Sequence, residues 1–385
     1  MRRRIWAAAT VLAVTASACI GGGGIGTSAF VVRALTGVAQ ISDGDDSWRS
    51  LAVNERVGPG SVLRVPSGTL VELARGNHAE VRVRTDRQLP GEVRFESLDD
   101  LEVASGEVLV RTAEGSPMDV SSGGVSATSE AGTFRFDRRL SVRIAVYEGA
   151  ATVEAAGGTL ELNGLQQGVV AGTVVPRQAE PLRFEPTDPW DQFLLADVID
   201  LDRELDALRR GYEAEFGRRA RSPSPLRPVA GRSLGFISPY LAEVSSGDLL
   251  IGLVLSIVVQ DAVEGTKLPG LFRTVMGLFV QGATWGLIAR SLQVEPGIVS
   301  DAVVRAIGLR TGEIEPGTEI NPTPSATPTS TGSPTQTSSP TPSPTGSKKP
   351  KPTSSPKPTS SPTPSPTPTP SPSPTCTPVL GDLCL

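Results

Sequence analysis

The chain has 385 residues and a formal net charge of -5, which is mild for its length and shows no long block of one sign, so it carries no nucleic-acid footprint. Its length suffices for two folded domains with good cores, but 20 of its 34 prolines fall from Pro316 onward, so the hydrophobic share of 38% understates the folded part. A single histidine, His78, removes His-paired zinc sites and leaves little for a serine triad.

Arg2, Arg3 and Arg4 precede an apolar run from Ile5 to Val14, then the small residues Ala16, Ser17 and Ala18, then Cys19. That order reads as an export signal over 1–18, too short for a comfortable membrane span. A cysteine placed directly after the small residues resembles a lipobox, and the resemblance implies that Cys19 is lipidated and becomes the mature N-terminus. Cleavage near Ala18 with an idle thiol is the alternative. Residues 19–28, with Gly21 to Gly24, form a flexible tether. No Gly-Lys-Ser/Thr follows the GGGGIG run and no strand precedes it, so it is not read as a phosphate loop.

From Ala29 short alternating runs recur every eight to twelve residues, separated by turn residues such as Asp43-Gly44, Pro66-Ser67-Gly68 and Gly157-Gly158. Val38 to Ile41, Ser61 to Val65, Thr69 to Leu73, Ala79 to Val83 and Glu107 to Arg111 are examples, and together they predict an all-β sandwich, barrel or roll over 29–185. Asp43, Asp45 and Asp46 lack the ligand spacing of a calcium loop and read as a solvated turn. Asn77-His78 reads as a surface turn. Paired carboxylates stay open, because scattered acids reveal a pair only in three dimensions.

Ser129 to Glu154 is the centre of this region. Phe134 and Phe136 alternate with Arg135 and Asp137, and Val142, Ile144 and Val146 with Arg143, Ala145 and Tyr147, which predicts two consecutive strands each with one buried face. Gly132 falls where a strand begins and Gly149 where one ends, both at places that need positive φ or a close approach. The run Ala131, Gly132, Thr133, Phe134 and Phe136, followed by Tyr147, Glu148, Gly149, Ala150 and Val153, resembles the core of the FecR domain, a bacterial envelope β module. Weaker matches lie at Val57 to Ser61, Ser105 to Val108 and Gly164 to Gly172, so the resemblance covers roughly Ala29 to Phe184. It implies a FecR-like β sandwich or roll acting in sensing, assembly or binding. The best-known FecR relatives reach a sigma factor through an N-terminal cytosolic segment and a membrane span. Only Met1 to Arg4 precede the apolar run here, so signalling is expected to need a membrane partner.

Asp188-Pro189-Trp190-Asp191 is a strong helix start, with Asp188 as N-cap and Pro189 at the first position. Apolar residues at Leu194, Val198, Leu201, Leu205, Leu208, Tyr212 and Phe216 extend it into one connector helix over 188–220, which packs on the protein's own domains or forms a short coiled coil. Prolines make 221–232 a linker. Leu249 to Val259 and Thr274 to Leu292 are apolar but too short or too diluted to span a bilayer, and predict buried helices of a small helical domain over 233–312, closed by Pro296 to Ile307. A membrane-facing patch is the minor alternative. Trp285-Gly286 reads as a close helix packing contact.

Residues 313–385 are a Ser/Thr/Pro-rich tail that cannot bury a core and is expected to be disordered and partly polyproline-like. Lys348, Lys349, Lys351 and Lys357 could contact anionic polymers. Cys376 and Cys384 stand in a terminal loop; export and an even cysteine count once Cys19 is set aside favour a disulfide, with free thiols or intermolecular pairing as alternatives.

The expected fold is therefore mainly β, with a connector α-helix, a small α-helical C-terminal domain and a disordered tail. The expected function is non-catalytic, at the extracytoplasmic face of a membrane, with no metal and no cofactor. Its partners are the membrane through the lipid and an envelope protein or wall polymer, with the oligomeric state open. The alternatives are a hydrolase that acts on envelope glycan or peptidoglycan through paired carboxylates, and a passive wall tether.

Overall fold

The computed structural model describes residues 28–44, 47–85, 90–220, 222–230, 234–262 and 267–312. The fold is mainly β up to Pro181, with an α-helical C-terminal region from Pro189. Cys19 and the tether up to residue 27, the tail, Cys376 and Cys384 lie outside the described residues, as do Asp45 and Asp46.

The strands are β1 (Phe30–Thr36), β2 (Gln40–Ser42), β3 (Arg49–Ser50), β4 (Arg56–Val57), β5 (Val62–Val65), β6 (Leu70–Arg75), β7 (Ala79–Arg84) and β8 (Gly91–Phe95). They continue with β9 (Asp100–Thr112), β10 (Met118–Ser122), β11 (Val125–Ser129), β12 (Gly132–Arg138), β13 (Val142–Ala155), β14 (Gly158–Asn163), β15 (Gln166–Val170) and β16 (Glu180–Pro181). One sheet runs β4-β1-β6-β7-β9-β12-β13-β15-β16. The other runs β3-β2-β5-β8-β9-β10-β11-β13-β14. Among these pairs only β9 with β10 is parallel.

Two long strands, β9 and β13, belong to both sheets and turn the corner between them. The change of partner falls on a glycine each time. In β9 the residues up to Ser105 pair with β8 and those from Gly106 pair with β12. In β13 the residues up to Gly149 pair with β12 and those from Ala150 pair with β14. Gly106 and Gly149 have φ of +99° and +76°, and a Cβ on Gly149 would collide with the carbonyl oxygen of Ala131. Gly132 is the facing half of that corner, its own Cβ position blocked by the carbonyl oxygen of Glu148. Gly149 was expected to end a strand; it lies inside one, and bends it.

Between the sheets the core is aliphatic with Phe30, Phe95, Phe134 and Phe136 fully buried. The alternation of β12 is present, but its second face is covered as well: Arg135 and Asp137 are only 4% and 3% exposed. The expectation of one buried face fails there because another part of the chain packs on the outside of the sheet.

That part is helical. The expected single connector helix is two helices, α1 (Pro189–Leu194) and α2 (Ala196–Phe216), which break at Leu195 with φ -129° and ψ 27°. Leu195 is fully buried against Leu109, Ala145, Tyr147 and Trp190, so the first helix is held to the sheet while the second leaves it. Along α2 the apolar stripe faces inward, with Leu201, Leu205 and Tyr212 buried in a helical core. The short α3 (Arg227–Ala230) is followed by α4 (Ser246–Ala262), α5 (Leu268–Val280), α6 (Trp285–Ser291) and α7 (Pro296–Thr311). The apolar run of α4 is buried at nearly every position, as a central bundle helix requires. No helix among the described residues is long and apolar enough to cross a membrane. Gly286 lets α6 approach α2: a Cβ there would collide with the Val198 carbonyl oxygen, and its N–H donates to Asp202 Oδ1 at 2.6 Å.

Candidate functional site: an ionic clasp and the cleft beside it

The charged residues that the sequence scatters over a hundred positions meet on the outer face of the sheet. Asp188 is their hub. Its Oδ1 accepts the Trp190 and Asp191 N–H groups at 2.8 and 3.3 Å and so caps α1. Its Oδ2 accepts Arg84 Nη2 from β7 at 2.5 Å and Arg135 Nη1 from β12 at 3.1 Å. One carboxylate thus starts the helix and ties it to two strands.

Below Asp188 lies Glu107, only 2% exposed, on β9. Its Oε2 accepts Arg84 Nε and Arg135 Nη2, each at 2.8 Å, and its Oε1 accepts Arg139 Nη2 at 3.0 Å. Asp137 is held by Arg139 Nε at 3.1 and 2.9 Å from its two oxygens. The Trp190 ring is capped by Arg84, whose guanidinium carbon is 3.8 Å from the ring centroid, with Arg135 at 5.4 Å. Asp191 completes the set: its Oδ1 accepts the Tyr147 hydroxyl at 2.6 Å and its Oδ2 accepts the Glu185 N–H at 2.8 Å.

Burial and pairing pull the carboxyl groups in different directions. Burial opposes the ionised form of Asp188, but the hydrogen bond from Arg84 and the charge of Arg135 outweigh it and hold its pKa below the ordinary value. Burial raises the pKa of Asp137, and the nearby charge of Glu107 adds to that effect. Asp191 is likewise raised by burial, against the hydrogen bond from Tyr147. Burial also pushes the Tyr147 phenol up, helped by the charge of Asp191. Arg135 is pulled down by burial but held above an ordinary arginine by Glu107.

A second contact locks the helices to the same sheet. Arg290 of α6 donates to the Leu194 carbonyl at 2.9 Å and to Asp197 Oδ1 at 3.0 Å, and lies 3.7 Å from Glu148. Of the motif residues, Gly132 and Gly149 form the sheet corner, Phe134 fills the core, Thr133 is buried on β12, and Glu148 faces Arg290.

Beside the clasp an open cleft of about 550 Å³ lies between the Ser67-Gly68 turn, the β12–β13 hairpin and the stretch from Glu185 to Asp191. It is the feature nearest to the paired-acid arrangement that a hydrolase needs, since Glu107 and Asp137 both line it. Sequence reading missed these partners. The available signal was the polar side of β12 and the second acid of Asp188-Pro189-Trp190-Asp191. Elsewhere, exposed His78 contacts Ser116 Oγ at 3.0 Å, and Asp43 pairs with Arg49 at 3.0 Å on the surface. Among the described residues no group of histidine, cysteine and acidic side chains could hold a metal ion.

No protein-family model matches the chain, and no curated protein matches it. Two crystal structures of a candidate anti-sigma factor from Parabacteroides distasonis are similar in part. The first, at 15% identity and a TM-score of 0.29, covers 34% of this chain, which spans 64% of that structure's length. The second, at 15% identity and a TM-score of 0.27, covers 42% of this chain and 93% of the other.

Proposed function

We propose that this chain is a non-catalytic protein of the bacterial envelope, whose FecR-like β domain acts in sensing, assembly or the binding of a ligand or partner. In this reading a lipid on Cys19 holds it at the outer face of the membrane. The observation that carries the non-catalytic part is the saturation of the buried acids: both oxygens of Glu107, Asp137 and Asp188 accept hydrogen bonds, and their donors include three arginines. Their geometry fastens helix to sheet, and a general base so engaged is poorly placed to take a proton.

The hydrolase reading has one observation in its favour. Asp137 lines the cleft with a raised pKa, the direction a general acid requires. Incubating the full chain with cell-wall glycan fragments decides between the two. The proposed function expects no cleavage product; a product that disappears in Asp137→Asn establishes the enzyme instead.

A further inference from the structure

We infer that the cleft beside the clasp is a saccharide-binding site. This inference rests on the non-catalytic binding role proposed above and supplies the chemical class of its ligand.

Most of the residues lining the cleft are polar or charged, and the carbon stems of its arginines add apolar surface. Among the residues lining the cleft, Gly68, Val169 and Pro189 are the apolar ones. A volume of about 550 Å³ is in the range of small-molecule sites, and nine charged side chains in the lining disfavour a wholly apolar ligand while leaving room for one with both polar and apolar faces. Formal charge excludes a strongly charged one. Arg84, Arg135, Arg139 and Arg143 face Glu107, Asp137, Glu185, Asp188 and Asp191, so the two signs nearly balance.

What the lining offers is unengaged hydrogen-bond capacity. Glu107, Asp137, Asp188 and Asp191 are taken up internally, as described above. On the donor side, Arg84 uses Nε and Nη2, and Arg143 uses Nε on Gln167 and Nη2 on the Arg183 carbonyl. Among the described residues each keeps its Nη1 without a hydrogen-bond partner, and the hydroxyl-bearing Ser67 and Ser141 also line the cleft. Exposed Glu185, also in the lining, supplies a carboxylate acceptor. Several donors, one acceptor, small apolar faces at Val169 and Pro189 and little net charge match a neutral molecule dense in hydroxyl and carbonyl oxygens. A saccharide has that composition, and its hydroxyls both accept from guanidinium groups and donate to a carboxylate. An inorganic anion would meet Glu185 and no compensating excess of positive charge.

The test is calorimetric titration of the full chain with a β-linked N-acetylglucosamine tetrasaccharide, with maltotetraose and with inorganic phosphate, each mixture afterwards analysed for cleavage. Saturable binding of a tetrasaccharide without cleavage is expected, weakened about fivefold or more by Ser141→Ala and by Arg143→Gln, as loss of a hydrogen bond implies. Ser67→Ala and Ser141→Ala lie outside the clasp and are expected to leave the unfolding midpoint unchanged, so that a loss of binding reads as a loss of contact. Absence of tetrasaccharide binding up to about 10 mM, or binding of phosphate alone, overturns the saccharide site and leaves the non-catalytic role standing. Cleavage of a bound tetrasaccharide supports the site and overturns the non-catalytic role.

Discussion

The Tyr147 hydroxyl donates to Asp191 Oδ1 at 2.6 Å across 44 residues of sequence, joining a strand at the sheet corner to the first turn of α1. Both groups are buried, at 2% exposure each. Tyr147→Phe removes the donor and leaves a buried carboxylate oxygen without its partner, an expected loss of about 1–3 kcal/mol in urea unfolding. The Glu185 N–H still holds the other oxygen, so the start of α1 is expected to persist.

The clasp acids give opposite pH dependences. Asp188 has a lowered folded pKa, so its contribution is present above its unfolded pKa near about 3.9 and is lost as pH falls through the folded value. Asp137 has a raised folded pKa, so its contribution is present below the unfolded value and is lost as pH rises through the folded one. Measured as unfolding free energy, the advantage of wild type over Asp188→Asn is expected to grow from acid to neutral pH, while that over Asp137→Asn shrinks. Parallel curves for the two variants would contradict the assigned directions.

Gly149 combines a positive φ with a blocked Cβ position, whereas Gly172 has φ +62° and nothing within 4 Å of its Cβ position. Gly172→Ala is expected to cost about 1–2 kcal/mol, the ordinary left-handed penalty. Gly149→Ala must also move the Ala131 carbonyl and is expected to cost clearly more, read from thermal unfolding with circular dichroism.

For the proposed anchor, Cys19→Ser is expected to move the protein from the membrane fraction to the medium on fractionation of the native host. Retention in the membrane fraction would remove the lipid from the account.

Much of the sandwich was legible because alternation reports a sheet whichever strands it pairs with. Phe134 and Phe136 marked the core side of β12, and Gly132 and Gly149 marked a place where the backbone needs room. Alternation could not report what covers the other side. Arg135 has the sequence appearance of a solvent-facing residue, and its partner Asp188 is 53 positions away. The Asp188-Pro189 start signalled a helix for local reasons, namely a side-chain cap and a missing N–H. That the same carboxylate also binds two strands is a tertiary fact with no local trace. The break at Leu195 was hidden for the same cause, since the apolar spacing continues through it and only the separate attachments of α1 and α2 interrupt the backbone.

The central claim is that the buried ions hold the helical region onto the sheet. Hydrogen–deuterium exchange on Asp188→Asn tests it most directly, because asparagine still caps a helix but no longer carries the charge that binds Arg84 and Arg135. Faster exchange across α1 and the first turn of α2, with β12 and β13 unchanged, is the predicted result. Unchanged exchange in α1 would contradict it.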